Sequence, residues 1–99
     1  MGQKLNGPAL ALYQATDEVL YYVWDPIGVA SHPQARDEYH GYLPKVFEML
    51  QDGSELKGIA EYLTQITVER MGLSPRPEHD LSVAILLAEW REVIREREV

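Results

Sequence analysis

The stretch of sequence that decides the fold runs from Ser54 to Thr67 and reads SELKGIAEYLTQIT. Its apolar residues and final threonine recur every three or four positions, at 56, 59, 60, 63, 66 and 67. Because an α-helix turns once every 3.6 residues, this spacing gathers them on one face and predicts an amphipathic helix from about Ser54 to Met71. We predict Ser54 as the N-cap of this helix and Gly72 as the residue that ends it.

Three further stretches of helical length lie outward from this one, separated by glycine and proline. They run from about Pro8 to Trp24, from about Pro33 to Leu50 and from about Glu78 to Glu98. The apolar stripe of the first comprises Leu12, Thr16, Val19, Leu20 and Val23. Pro44 falls inside the second stretch, and because proline removes a backbone hydrogen bond we predict that this helix is kinked or broken there. With no strand-like alternation, the sequence predicts an all-α fold, a compact bundle of about four helices.

Length and composition favour one soluble domain. The chain has 99 residues, of which 45% are hydrophobic and none is cysteine. This length suits a single domain, and the apolar share is ordinary for a globular protein. We therefore predict one helical domain over residues 1–99, with residues 1–7 as a disordered start. Without cysteine, the chain can form neither a disulfide framework nor a thiolate site.

The charge of the chain bears on its partners and location. Sixteen acidic and nine basic residues give a formal net charge of −7. A polyanion is repelled by such a surface, so we predict no nucleic acid as partner and favour a basic protein; the same charge also keeps a small domain soluble. No stretch approaches the roughly 20 apolar residues of a membrane span, and residues 1–12 lack the apolar region of a secretory signal. We therefore expect no membrane partner and a cytoplasmic location.

The most distinctive short sequence is WDPIG, residues 24–28. Aspartate, proline and glycine at its second, third and fifth positions are typical of a type I turn that starts at Asp25. In a structural interpretation, Trp24 anchors this turn in the core and Asp25 caps backbone N–H groups. In a functional interpretation, the same two residues form the floor of a binding site. An exposed Trp24, with an Asp25 that makes no backbone contact, would favour the functional interpretation.

A second polar cluster, DEYHGY, spans residues 37–42. Asp37 and His40 have the spacing of the carboxylate–histidine pairs of di-metal bundles, but those sites need a second such pair, which this chain does not supply. We predict no metal site and no cofactor, and we find no catalytic constellation. The candidate binding residues of the two clusters are Trp24, Asp25, Asp37, Glu38, Tyr39, His40 and Tyr42.

These two clusters, together with the sequence MGL at residues 71–73, resemble a family of small bacterial helical proteins of unknown function. Members of that family carry a WDPIG turn, then DEY, then an amphipathic helix, and the likeness covers roughly residues 18–73. Where members often read DEYD, this chain has His40. The resemblance implies a helical fold and a bacterial cytoplasmic setting, and it implies no reaction.

The last predicted helix is apolar almost all round over residues 81–88. A helix of this kind is either central in its fold or covered by a second subunit. A 99-residue bundle can hardly bury one helix on every side, so one hypothesis is a homodimer through the 81–94 helix.

Three functional hypotheses follow from the sequence. The leading one is a non-enzymatic protein-interaction module whose acidic, tyrosine-bearing surface docks a protein partner; an immunity-like protein that neutralises a basic toxin is one form of it. The alternative is a small ligand-binding or enzymatic domain with a site around Asp25, Asp37, Glu38, Tyr39 and His40. The third is a structural subunit of a larger assembly.

Overall fold

The computed structural model describes residues 5–97, and every regular element in that range is helical. The four α-helices are α1 (Gly7–Val19), α2 (Leu43–Gln51), α3 (Leu56–Gln65) and α4 (Pro77–Arg97). Helices α1 and α3 continue directly into π-helical turns, at Leu20–Trp24 and Ile66–Arg70, and a 3-10 turn spans Pro33–Ala35. The predicted all-α bundle of about four helices is confirmed.

One apolar cluster forms the core, and all four helices contribute to it. Helix α4 packs against both α3 and α1 and is the central element of the bundle. The periodicity of the decisive stretch holds, since Ile59, Ala60 and Leu63 form the buried face of α3. The largest fully buried side chains are those of Trp24 and Tyr21. Two aromatic residues of the π-helical turn after α1 are therefore part of the core between the helices.

The π-helical turn after α1 changes which residues face the core. A π-helix forms i→i+5 hydrogen bonds, so it has more residues per turn than an α-helix and rotates the following positions. Trp24 is consequently buried, whereas Val23 is 41% exposed. The predicted stripe of the first helix is correct as far as Leu20 and wrong at Val23, because it assumed α-helical spacing throughout.

The predicted second helix is broken near Pro44, as expected. Residues 33–42 form the 3-10 turn and a succession of turns, and α2 begins at Leu43 with Pro44 in its first turn. A first-turn residue needs no intrahelical N–H donor, so proline is well suited to that position. The proline thus begins a short helix, and residues 25–42 form a long irregular connection between α1 and α2.

The predicted ends of the other helices are partly correct. The N-cap of α3 is Glu55 and not Ser54, and it makes no side-chain capping bond. Gly72 ends the third helical stretch as predicted, with a φ of 66° that glycine adopts readily. Of the predicted disordered start, residues 1–4 lie outside the described residues, and Gly7 already begins α1. No helix within residues 5–97 has the length and apolar character needed to cross a membrane.

Candidate functional site

Asp25 organises the turn that follows α1. It has a φ of 32°, in the left-handed region that aspartate tolerates better than most residues. Its carboxylate accepts backbone hydrogen bonds from Gly28 (3.1 Å), Val29 (2.8 Å) and Ala30 (3.0 Å), and a further hydrogen bond from the hydroxyl of Tyr39 (2.6 Å). Both carboxylate oxygens are therefore engaged within the chain. The geometry supports the structural interpretation of this residue.

Proton affinities in this turn follow from the same contacts. Burial by itself raises the pKa of the Asp25 carboxyl, but the hydrogen bonds from Tyr39 and from the backbone outweigh it and lower that pKa below its ordinary value. Burial, followed by the hydrogen bond to Asp25, raises the pKa of Tyr39. Asp25 is thus a carboxylate and Tyr39 a neutral phenol at neutral pH. Both pKa values are shifted away from neutrality, whereas a general acid or base works best with a pKa near the working pH.

Trp24 lies in the interior and joins three helical elements. Its side chain is 1% exposed, and its indole Nε1 donates a hydrogen bond to Oδ1 of Asp80 (3.0 Å). The hydroxyl of Thr64 donates to the other oxygen of the same carboxylate (2.7 Å). These bonds connect the end of α1, the last turn of α3 and the first turn of α4. Trp24 is therefore a core residue that a partner cannot reach in this fold.

Asp80 is a buried polar residue that the sequence analysis missed. It lies in the first turn of α4, and its side chain is 2% exposed. The signal that could have identified it is its spacing, because Asp80 shares one helical face with the buried Val83, Ala84 and Leu87. An aspartate on an apolar face must find hydrogen-bond donors, and here Trp24 supplies one of them.

The structure divides the second polar cluster between interior and surface. Tyr39 is buried and bonded to Asp25, whereas Asp37 and Glu38 are exposed. Tyr42 is half-buried, with its ring edge-on to that of Trp24. Direct contacts therefore join four of the candidate residues, Trp24, Asp25, Tyr39 and Tyr42, while the side chains of Asp37 and Glu38 lie in solvent.

His40 contributes to an ionic cluster on the surface. Its Nε2 lies 3.1 Å from Oδ1 of Asp17, and the same carboxylate accepts two hydrogen bonds from Arg36 (2.9 and 3.1 Å). The guanidinium of Arg36 also lies 4.8 Å from the ring centroid of Tyr21. This cluster fastens the irregular connection to α1. No group of three or more histidine, aspartate or glutamate side chains that could hold a metal is found within residues 5–97.

A different surface, formed by α3, its π-helical turn and α4, leaves large apolar side chains exposed. One open concavity of about 660 Å³ lies between α3 and the first turns of α4, and a second of about 540 Å³ lies beside the later turns of α4 and Leu56 of α3. Leu81 borders the first and Ile85, one helical turn further on, borders the second. We call the combined surface the α3–α4 groove; its exposed apolar residues are Leu56, Val68, Leu81, Ile85 and Val93.

Carboxylates surround this apolar surface. The charged residues that line the two concavities are one base, Lys57, and five acids: Glu61, Glu69, Glu89, Glu92 and Glu96. Glu92 is paired with Arg91 (3.6 Å) and Arg95 (3.4 Å). For the other four acids, no ion pair is found in the part of the chain that the structure describes. The α3–α4 groove therefore has an apolar floor and a negative rim.

The groove also shows how α4 accommodates its apolar composition. Val83, Ala84 and Leu87 are buried in the core, while Leu81 and Ile85, on the opposite side, are 43% and 41% exposed. The bundle thus covers one side of α4 and leaves apolar side chains on the other side in solvent. The sequence offered two explanations for this helix, a central position and a second subunit; the structure shows the central position and leaves a face that a partner could cover.

Comparisons with known proteins identify no family for this chain. No family model matches it, and neither the curated proteins nor the solved structures contain a significant match. The resemblance to small bacterial helical proteins of unknown function therefore stays a prediction.

Proposed function

We propose that the protein is a non-enzymatic interaction module that binds a protein partner through the α3–α4 groove. The observation that carries this proposal is the set of large apolar side chains left exposed along two neighbouring helices. Scattered exposed apolar residues are common, but a contiguous patch with a polar rim is typical of interaction surfaces. Burying such a patch against a partner releases water from apolar surface, which favours association.

The proposal keeps the leading hypothesis but moves its surface. The sequence favoured an acidic, tyrosine-bearing surface around residues 37–42. There Tyr39 is bonded to Asp25, and Tyr42 is half-buried. The α3–α4 groove combines an exposed apolar floor with a charged rim, and an apolar centre inside a polar rim is the usual arrangement of an interface. An immunity-like role, in which the groove covers part of a basic toxin, is one form of this proposal.

The alternative of a ligand-binding or enzymatic site around Asp25 receives less support. A ligand at that position would have to replace four hydrogen bonds that the Asp25 carboxylate already accepts. Asp37 and Glu38 are exposed, and neither is hydrogen-bonded to Asp25. We therefore propose no reaction for this chain.

The experiment that tests the proposal is affinity capture with matched variants of the full chain. We expect the wild-type protein and a Tyr22→Ser control to recover the same partner from the native cell, and a Leu81→Ser/Ile85→Ser variant to lose it. Tyr22 is 58% exposed and does not line the groove, so the control removes an exposed aromatic side chain from a different surface. Titration of the purified partner should reproduce this order. Melting temperatures within about 4 °C of the wild type would show that both variants are folded.

Two outcomes would overturn the proposal. One is the absence of any partner that depends on Leu81 and Ile85. The other is sedimentation of the wild-type chain as a dimer at tens of micromolar that the groove variant converts to a monomer. The second outcome would assign the groove to a homodimer through the 81–94 helix, with a second copy in place of a different protein.

A further inference from the structure

We infer that the segment bound in the α3–α4 groove is a basic amphipathic helix, with its apolar stripe on the groove floor and its lysines or arginines beside the rim carboxylates. This inference rests on the proposed function and adds the chemistry of the partner. The shape, the backbone and the charge of the groove all restrict what can bind there, and all three favour this one occupant.

The shape of the groove fits a helix. At a rise of about 1.5 Å per residue, the floor from Leu81 to Val93 extends for about 18 Å, which matches about three turns of a partner helix. Helices α3 and α4 pack against each other, and the furrow beside them runs along α4 and past Leu56 at the start of α3. Apolar side chains at i, i+3 or i+4, and i+7 on a partner helix would enter such a furrow.

The backbone of the groove excludes the main extended alternative. A peptide that binds as an added β-strand needs a free row of backbone N–H and C=O groups at a sheet edge. Both walls of the groove are helices, whose backbone groups are bonded within each helix except at the ends. Recognition must therefore rely on side chains, as it does when a helix binds in a groove.

The negative charge of the groove favours a partner helix with positive charge. Five acids and one lysine line the two concavities, on both α3 and α4. A helix with glutamates beside its apolar stripe would bring like charges together, and so would a second copy of this chain. Lysines or arginines in those positions would meet opposite charges. Because these carboxylates are exposed, the attraction should weaken as salt screens it.

The inference is tested with two labelled helical peptides of the same length and the same leucine stripe. One carries lysines beside the stripe and the other carries glutamates. Fluorescence anisotropy against the full chain should give a dissociation constant for the basic peptide at least about tenfold lower than for the acidic one at low ionic strength. Raising the ionic strength to about 0.5 M should remove most of that difference.

Charge-neutral variants locate the interaction. Replacing two rim acids, in Glu61→Gln/Glu89→Gln, should weaken binding of the basic peptide about five- to tenfold and reduce its salt dependence. The matched control is Asp37→Asn/Glu38→Gln, which removes the same charge from an exposed segment outside the groove. When the variants are compared at about 0.1 M salt, we expect this control to bind the basic peptide within about twofold of the wild type, because screening at that salt concentration limits the reach of exposed charges to about 10 Å.

Equal binding of the two peptides would overturn the inference. An equal loss of affinity in the Asp37→Asn/Glu38→Gln control would also overturn it, because the peptide would then be attracted by the net charge of the chain alone. The proposed function fails separately. If a cellular partner depends on Leu81 and Ile85 but not on salt or on Glu61 and Glu89, the groove is an interaction surface whose partner is not a basic helix. If no partner depends on Leu81 and Ile85, the proposed function itself is wrong.

Discussion

The connection between α1 and α2 and the α3–α4 groove differ in how far their chemical groups are used within the chain. The connection contains most of the candidate binding residues, yet Asp25 and Tyr39 are hydrogen-bonded to each other and to the backbone. The groove consists of common residue types, but its large apolar side chains are exposed, and four of its five carboxylates form no ion pair within residues 5–97. Whether a chemical group is already bonded within the chain, and not its residue type, therefore indicates where this protein can bind a partner.

The physical reason is the cost of replacing contacts. A ligand at Asp25 would gain little, because each new hydrogen bond would replace one that already exists, and backbone N–H groups left without an acceptor would be penalised. A partner at the groove replaces only water, and the release of water from apolar surface favours binding. The two regions should therefore respond in opposite ways to substitution.

The largest expected effect is on the stability of the connection. Asp25→Ala removes the acceptor of three backbone N–H groups and of the Tyr39 hydroxyl, and it places alanine at a positive φ. We expect a loss of about 3–4 kcal/mol in the free energy of unfolding, measured by urea denaturation. Glu38→Ala, at an exposed neighbouring position, is the control and should change it by no more than about 0.5 kcal/mol. A similar, small effect of both substitutions would show that Asp25 is not structural.

A smaller effect is expected when Tyr39→Phe removes one donor from the same carboxylate. We expect a loss of about 1.5–2 kcal/mol at neutral pH, since hydrogen bonds to charged groups contribute about 1.5–3 kcal/mol each. The ring of Tyr39 is retained, so its contact with Trp24 should persist.

The pH dependence of Tyr39→Phe provides an independent check. Folding raises the pKa of Tyr39 above its ordinary value of 10.0, so its contribution is fully present below pH 10 and is lost as pH rises through the folded pKa. Folding lowers the pKa of Asp25 below 3.8, so its contribution is present above pH 3.8 and is lost as pH falls through the folded pKa. The wild type should therefore lose stability above pH 10 more steeply than the phenylalanine variant. Parallel curves in alkali would contradict this assignment.

The smallest expected effect on stability is in the groove. Ile85→Ser changes a side chain that is 41% exposed, so we expect a change in unfolding free energy within about 0.5 kcal/mol. Leu87→Ser, half a turn away and fully buried, is the matched control and should cost several times more, because it leaves a cavity and an unsatisfied hydroxyl in the core. A large loss for Ile85→Ser would mean that the groove serves folding, and the contrast between the two regions would fail.

The helices could be predicted because their signals are local. The spacing in α3, the proline at the start of α2 and the glycine after the third helical stretch each depend on a few neighbouring residues. The candidate site was less predictable. Trp24 and Asp25 were recognised as a distinctive pair, with a structural and a functional interpretation left open. The two interpretations are distinguished only by tertiary contacts: Trp24 is hydrogen-bonded to Asp80, and Asp25 is hydrogen-bonded to Tyr39.

The sequence by itself determined that the chain is helical, that a turn starting at Asp25 follows the first helical stretch, and that α4 is apolar almost all round over residues 81–88. Those properties depend on backbone geometry and on periodicity over a few turns. Only the tertiary structure decided that the π-helical turn directs Trp24 inward, that Asp80 is buried, and that Leu81 and Ile85 are among the apolar residues of α4 left exposed. These depend on contacts between residues far apart in the chain, and small rotations of a helix decide which side chains make them.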